Sequence, residues 1–147
     1  MKPFSFRLDS ILNYRKYLEK GMQRELSNAW NEYRDTEKTI EKVGYERAET
    51  SKRWSEEGFK GIDVPRYQMY RAFLAKLNHD LETAHLCLKK AEHKVKEREM
   101  ELKKKVIERK TLEILKGLQW ERYLEAFERE EQKEVDELVI LERERKS

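Results

Sequence analysis

From Tyr70 onward the apolar positions step along the chain by alternating threes and fours, through Leu74, Leu77, Leu81, Ala84, Leu88, Ala91 and Val95, and a longer step closes the series at Leu102. This alternation keeps one narrow stripe of a helix facing a neighbour, so it predicts a helix packed lengthwise against another helix. The stretch from Val64 to about Glu142 contains no proline after Pro65 and a single glycine, Gly117. At ~1.5 Å per residue such a helix is roughly 120 Å long, too long to curl into a globule.

An earlier stripe is less regular. Leu8, Ile11, Leu18, Met22, Leu26, Ala29, Tyr33, Ile40, Val43 and Trp54 mark one face of a first helix expected over about residues 6–55, with Ser5 as its N-cap. Arg15, Thr36, Arg47 and Thr50 interrupt that face, and the steps from Leu18 through Met22 to Leu26 read as a stutter. Gly21 and Gly44 each cost the helix about 1 kcal/mol relative to alanine. Residues 56–63 break the pattern with Gly58 and Gly61, after which Asp63 and Pro65 suit a helix start. A loop this short favours an antiparallel arrangement. The expected fold is therefore all-α: one coiled-coil domain over 1–147, two long helices in an antiparallel hairpin, the second (about 64–142) longer and overhanging at its C-terminal end. A turn near residue 60 puts Leu8 opposite roughly residue 110, which leaves an overhang of about 30 residues, or ~45 Å. That overhang carries Leu112, Leu115, Leu118, Trp120, Tyr123, Leu124 and Phe127, a concentration of apolar groups that marks an interaction surface.

Composition narrows the function. Charged residues make up 43% of the chain, hydrophobic ones only 37%, and the sustained periodicity favours a coiled coil over a disordered polyampholyte. The net charge is +3 with acids and bases closely mixed, unlike the segregated basic face of a nucleic-acid binder. The local basic run Lys103-Lys104-Lys105 has partners at i,i+4, Glu99 for Lys103 and Glu101 for Lys105, and reads as a solvated face. Cys87 is the only cysteine; it reads as a small buried or half-buried residue in a reducing compartment. No apolar run is long enough to span a membrane, and the first residues lack the apolar core of a secretory signal, so membrane association is expected only through partners. His79, His85 and His93 are spaced six and eight apart, which fits no helical metal pair, and the sequence offers no phosphate loop or nucleophile elbow. No catalysis, metal or cofactor is expected. Phe73 sits at the margin of the stripe formed by Tyr70, Leu77 and Leu81, available to core or partner alike.

Four segments in order around one turn resemble a known family: Phe4-Ser5-Phe6-Arg7-Leu8-Asp9-Ser10-Ile11-Leu12-Asn13-Tyr14-Arg15, then Arg66-Tyr67-Gln68-Met69-Tyr70-Arg71-Ala72-Phe73-Leu74, then Arg109-Lys110-Thr111-Leu112-Glu113, then Glu131-Gln132-Lys133-Glu134-Val135-Asp136-Glu137. Together they are similar to the FliJ family of flagellar export proteins. The resemblance implies a non-enzymatic stalk-like coiled coil of the flagellar type III export apparatus. It is expected in the cytoplasm, peripherally associated with the inner membrane at the flagellar base. Its implied partners are the hexameric flagellar export ATPase, the cytoplasmic domain of the FlhA export gate, and export chaperones. On this reading Phe4, Phe6, Leu8, Leu112, Leu115, Leu118, Tyr123 and Phe127 would grip the ATPase ring, and Tyr70, Phe73 and Leu77, with Val43 and Tyr45 from the first helix, would meet the gate. Asp80 and Ala84 depart from the family pattern on that second patch. The alternatives are the equivalent stalk protein of a virulence type III secretion system, or a generic coiled-coil scaffold that dimerises through the overhang.

Overall fold

The computed structural model describes residues 1–146 and contains two helices, α1 (Asp9–Lys60) and α2 (Val64–Lys146). The chain is all-α, and the contacts between the helices are those of an antiparallel hairpin. Residues Phe6 to Leu8 form a turn ahead of α1, in which the Asp9 N–H donates to the Phe6 carbonyl at 3.1 Å. The first helical bond runs from the Leu12 N–H to the Leu8 carbonyl, 2.9 Å, so Leu8 and not Ser5 stands at the N-cap position. Asp9 then places a negative charge in the first turn, where the helix dipole favours it.

At the other end α1 runs on through Gly58 and Phe59 to Lys60. It stops where Gly61 adopts φ 88°, the left-handed conformation that ends helices without a Cβ penalty. α2 starts three residues later, at Val64. The Tyr67 N–H donates to the Asp63 carbonyl at 3.0 Å, and Pro65 occupies the first turn, where no N–H is required.

The chain forms two compact units, one from Met1–Gly21 with the segment from Lys103 onward, the other from Met22–Leu102. In the second unit the core is a layer of small and aliphatic side chains. Ala29 from α1 and Leu77, Ala84, Ala91 and Val95 from α2 are buried, with Leu26, Tyr33, Ile40, Leu74, Leu81 and Leu88 half-buried beside them. Lys94 reaches Glu32 at 3.1 Å and Arg98 reaches Glu25 at 3.5 Å, so the antiparallel register is also marked by ion pairs at the surface. Near the turn Trp54 and Tyr67 pack at 5.3 Å, and Arg66 bonds Glu57 at 2.8 Å.

The first unit is built differently. Phe6, Leu12 and Leu112 are its buried apolar residues, Leu12 at 1% exposure. Between them the contact is largely ionic. Glu19, 8% exposed, accepts from the Arg109 guanidinium, which also bonds Glu113 at 2.7 Å. Arg15 donates to the Glu108 backbone carbonyl at 2.8 Å, and Lys116 reaches Asp9 at 2.8 Å. The hydrogen bond with Glu19 is the largest effect holding the Arg109 guanidinium above its ordinary range, against the opposing effect of desolvation.

These contacts correct two expectations. The inward face of α1 contains no stutter. Leu12, Arg15, Glu19, Met22, Leu26, Ala29, Tyr33, Thr36, Ile40 and Val43 are all buried or half-buried and keep an unbroken alternation of threes and fours. Glu19 holds a seam position and Leu12, not Ile11, is the core residue; Ile11 is exposed. The irregularity arose from passing over a charged side chain whose charge is matched across the seam. The overhang also begins later than expected. Asp9 meets Lys116 and Lys2 meets Tyr123, so one face of α2 is partnered as far as Tyr123, and the described residues are all exposed only from Leu124 on.

Candidate partner-binding surfaces

The first unit ends in an aromatic ladder along α2. Trp120 and Tyr123 stack at 5.6 Å, and Tyr123 and Phe127 at 6.3 Å, because i,i+3 and i,i+4 residues of a helix lie one above the other. Phe4 closes against this ladder, with its ring 5.0 Å from Trp120 edge-on and 5.5 Å from Tyr123. The Tyr123 hydroxyl donates to the Lys2 carbonyl at 2.8 Å, and Lys116 Nζ lies 5.9 Å from the centre of the Phe6 ring. The segment before α1 is thereby tied down on α2.

Of the residues expected to grip a ring, Phe6 and Leu112 are buried, and Leu8, Phe4 and Tyr123 are half-buried. Leu115, Leu118 and Phe127 are exposed, as are Trp120 and Leu124 beside them. Phe4, Trp120, Tyr123 and Phe127 form one contiguous neighbourhood, whereas Leu118, nine residues before Phe127, lies about 180° round the helix from it. Phe6 and Leu112 are the floor that holds the N-terminal segment in place, and the exposed rim presents apolar surface to solvent, the arrangement of an interaction site.

The second neighbourhood lies in the other unit. Tyr70 and Phe73 line a groove of about 290 Å³ together with Thr50, Arg53 and Met69. Phe73 is 42% exposed and Met69 58%, while Leu77 is buried beneath. Val43 lines a separate groove of about 460 Å³ with Thr36, Thr39, Asp80, Ala84 and Cys87. Tyr45 is well exposed. The expected patch therefore divides by role: Leu77 belongs to the core, Tyr70 and Val43 form groove walls, and Phe73 and Tyr45 are outward. Asp80 and Ala84 both line the Val43 groove.

Cys87 is exposed on the wall of that groove instead of buried, since it stands one position before the seam residue Leu88. Among the described residues no group of three histidine, cysteine or acidic side chains is placed to hold a metal ion. His93 pairs with Glu97 at 3.0 Å along its own helix. Among the described residues no helix is long and apolar enough to cross a membrane. A third apolar groove, about 240 Å³, lies beside Trp30 and Tyr33, with Glu92, Val95, Lys96 and Glu99 on the α2 side. Sequence reasoning passed over Trp30 because it stands off the seam; the aromatic pair Trp30–Tyr33, 5.6 Å apart at i,i+3, was the available signal.

Comparison with known protein families matches residues 4–147 to the family described as Flagellar FliJ protein. No curated protein and no solved structure matches the chain.

Proposed function

The chain belongs to the flagellar FliJ family, a component of flagellar-type export machinery, and on that premise we propose that it is the stalk-like coiled coil that engages the hexameric export ATPase and the FlhA export gate. The observation that carries the ATPase half is the aromatic ladder with its exposed rim. A stalk needs a stiff end whose side chains face outward, and Trp120, Tyr123 and Phe127 are stiffened by stacking and by Phe4. In this role Phe4, Leu115, Leu118, Tyr123 and Phe127 touch the ring, and Phe6, Leu8 and Leu112 hold the contact surface together from below. The helices themselves supply torsional and bending stiffness.

The gate half rests on the groove at Tyr70 and Phe73. An exposed phenylalanine and methionine beside a preformed groove accept an apolar side chain from a partner at small entropic cost. Tyr45 and Val43 extend this surface along α1. Export chaperones are the third class of partner on this reading, and the association with the inner membrane runs through the gate.

The test is ATP turnover by the purified flagellar export ATPase with this chain titrated in. Stimulation that saturates at a few chains or fewer per hexamer is the expected result. Phe127→Ala combined with Leu118→Ala, both exposed, should lower that stimulation without loss of helicity. Unchanged turnover at saturating chain, with folding verified, would remove the ATPase half of the proposal. Unaltered gate binding by Phe73→Ala would remove the other.

A further inference from the structure

Beyond Trp120 the apolar stripe of α2 leaves the face that meets α1. The seam facing α1 runs through Leu112, Lys116, Gln119 and Tyr123, and its continuation at Ala126 and Glu130 is exposed. A second stripe starts one residue on, at Trp120, Leu124 and Phe127, and continues through Glu131, Glu134, Leu138, Leu141 and Arg145. One residue is ~100° of rotation, so this stripe addresses something other than α1. Its spacing alternates fours and threes without a break, the spacing of a coiled-coil seam. Leu138 and Leu141 on it are more than half exposed, and every described residue after Phe127 is exposed.

Charge is segregated around this stripe. From Glu128 to Arg143, six of the seven acids lie on the seam or its two flanks: Glu131 and Glu134 on it, Glu128, Glu130, Glu137 and Glu142 beside it. The three bases of the same stretch, Arg129, Lys133 and Arg143, all fall on the outer face, with Asp136. Among the described residues none of the six seam-side glutamates makes an ion pair. Where a glutamate does lie on the seam with α1, at Glu19, Arg109 answers it. Glutamates three and four apart on one face disfavour a lone helix, and a partner that answers them removes that cost.

We propose that the stripe from Leu124 to Leu141 docks on a cationic protein surface, an apolar strip flanked by lysine or arginine, with cations opposite Glu131 and Glu134. This rests on the reading that the chain engages the export ATPase, and it assigns that surface to the ring. A second copy of this chain does not fit. Parallel pairing sets Glu131 and Glu134 against themselves and Glu137 against Glu142, and the antiparallel pairing that brings Glu137 against Glu137 also lays Glu131 and Glu134 against Leu141 and Leu138. Nucleic acid and acidic membrane surfaces are disfavoured by the same charge.

The experiment measures binding of the full chain, labelled at its single cysteine Cys87, to the purified flagellar export ATPase as salt rises from about 50 to about 300 mM. The variant Glu131→Lys/Glu134→Lys should weaken the complex about tenfold or more at low salt, with the difference narrowing as salt rises. The variant Glu125→Lys/Asp136→Lys changes net charge equally on the outer face and should stay within about twofold of the parent. Equal losses in the two variants, or no loss in the first, would overturn the cationic surface while leaving ring engagement intact. Absence of any binding by the parent chain would overturn ring engagement and this assignment together. A chain that sediments as a dimer until Glu131 and Glu134 are reversed would also overturn it. Circular dichroism of each variant separates a binding loss from a folding loss.

Discussion

Replacing Arg109 by alanine should destabilise the first unit more than replacing its partner Glu19, although both changes delete the same ion pair. The reason is what each leaves behind. Without Arg109, Glu19 remains at a side-chain exposure of 10% with no cation to answer it. Removing one member of a fully buried pair costs ~3–5 kcal/mol, and the solvent contact of both side chains brings Arg109→Ala below that range, to about 2 kcal/mol. Without Glu19, Arg109 is 22% exposed and keeps Glu113 at 2.7 Å, so Glu19→Ala should cost only about 1 kcal/mol. Replacing both by leucine removes the charges together and should fall within about 1 kcal/mol of the parent. Urea unfolding followed by circular dichroism measures the totals. Hydrogen exchange over residues 9–21 and 103–116 shows whether the loss is local to this unit. A Glu19→Ala cost equal to or above that of Arg109→Ala would refute the argument, as would a doubly substituted chain as weak as Arg109→Ala.

Other expectations follow from burial and backbone geometry. Leu12→Ala, at the one fully buried large side chain, should cost about 2–4 kcal/mol in urea unfolding, whereas Tyr17→Ala on the exposed face should change stability by under about 0.5 kcal/mol. Gly21→Ala and Gly44→Ala should each stabilise by about 0.5–1 kcal/mol, since an added Cβ meets nothing within 4 Å; Gly61→Ala should destabilise by about 1 kcal/mol because φ is +88° there. A chain ending after Phe127 should keep the thermal unfolding midpoint of the parent. One ending after Lys110 should lose protection over residues 1–21, because Leu112, Lys116, Trp120 and Tyr123 are the partners of that segment; hydrogen exchange distinguishes the two.

The family match supports a role in flagellar export, and on the proposed reading the two exposed neighbourhoods serve different partners. Phe127 is held by the stacked ring of Tyr123, whereas Phe73 and Met69 flank an open groove. A mutation at Leu77 or Leu112 would confound binding with folding, since both are core. Exposed positions such as Phe73 and Phe127 separate the two effects.

The two-helix architecture was legible in the residue pattern because helix pairing is written in a short repeat. All nine seam positions read from Tyr70 to Leu102 lie buried or half-buried. The place of the turn was legible only in part: Gly61 and Pro65 act through their own backbone preferences, but the expected break at 56–63 began too early, since α1 runs on through Gly58 to Lys60. What the pattern could not convey was which charged residues belong to the seam. Glu19 looks like a surface residue in a chain that is 43% charged, and only the approach of Arg109, 90 positions away, makes its burial tolerable. The same long-range pairing set the register. Asp9 could have faced any of several lysines near residue 110 until Lys116 was brought to it and Phe4 was seated on Trp120. Local sequence thus determined the helices and the apolar stripe of α2, because those follow from neighbours in the chain. Tertiary structure decided the charge partners, the start of the exposed segment and the division of the candidate residues into floor and rim, because each depends on which side chains two distant stretches present to one another.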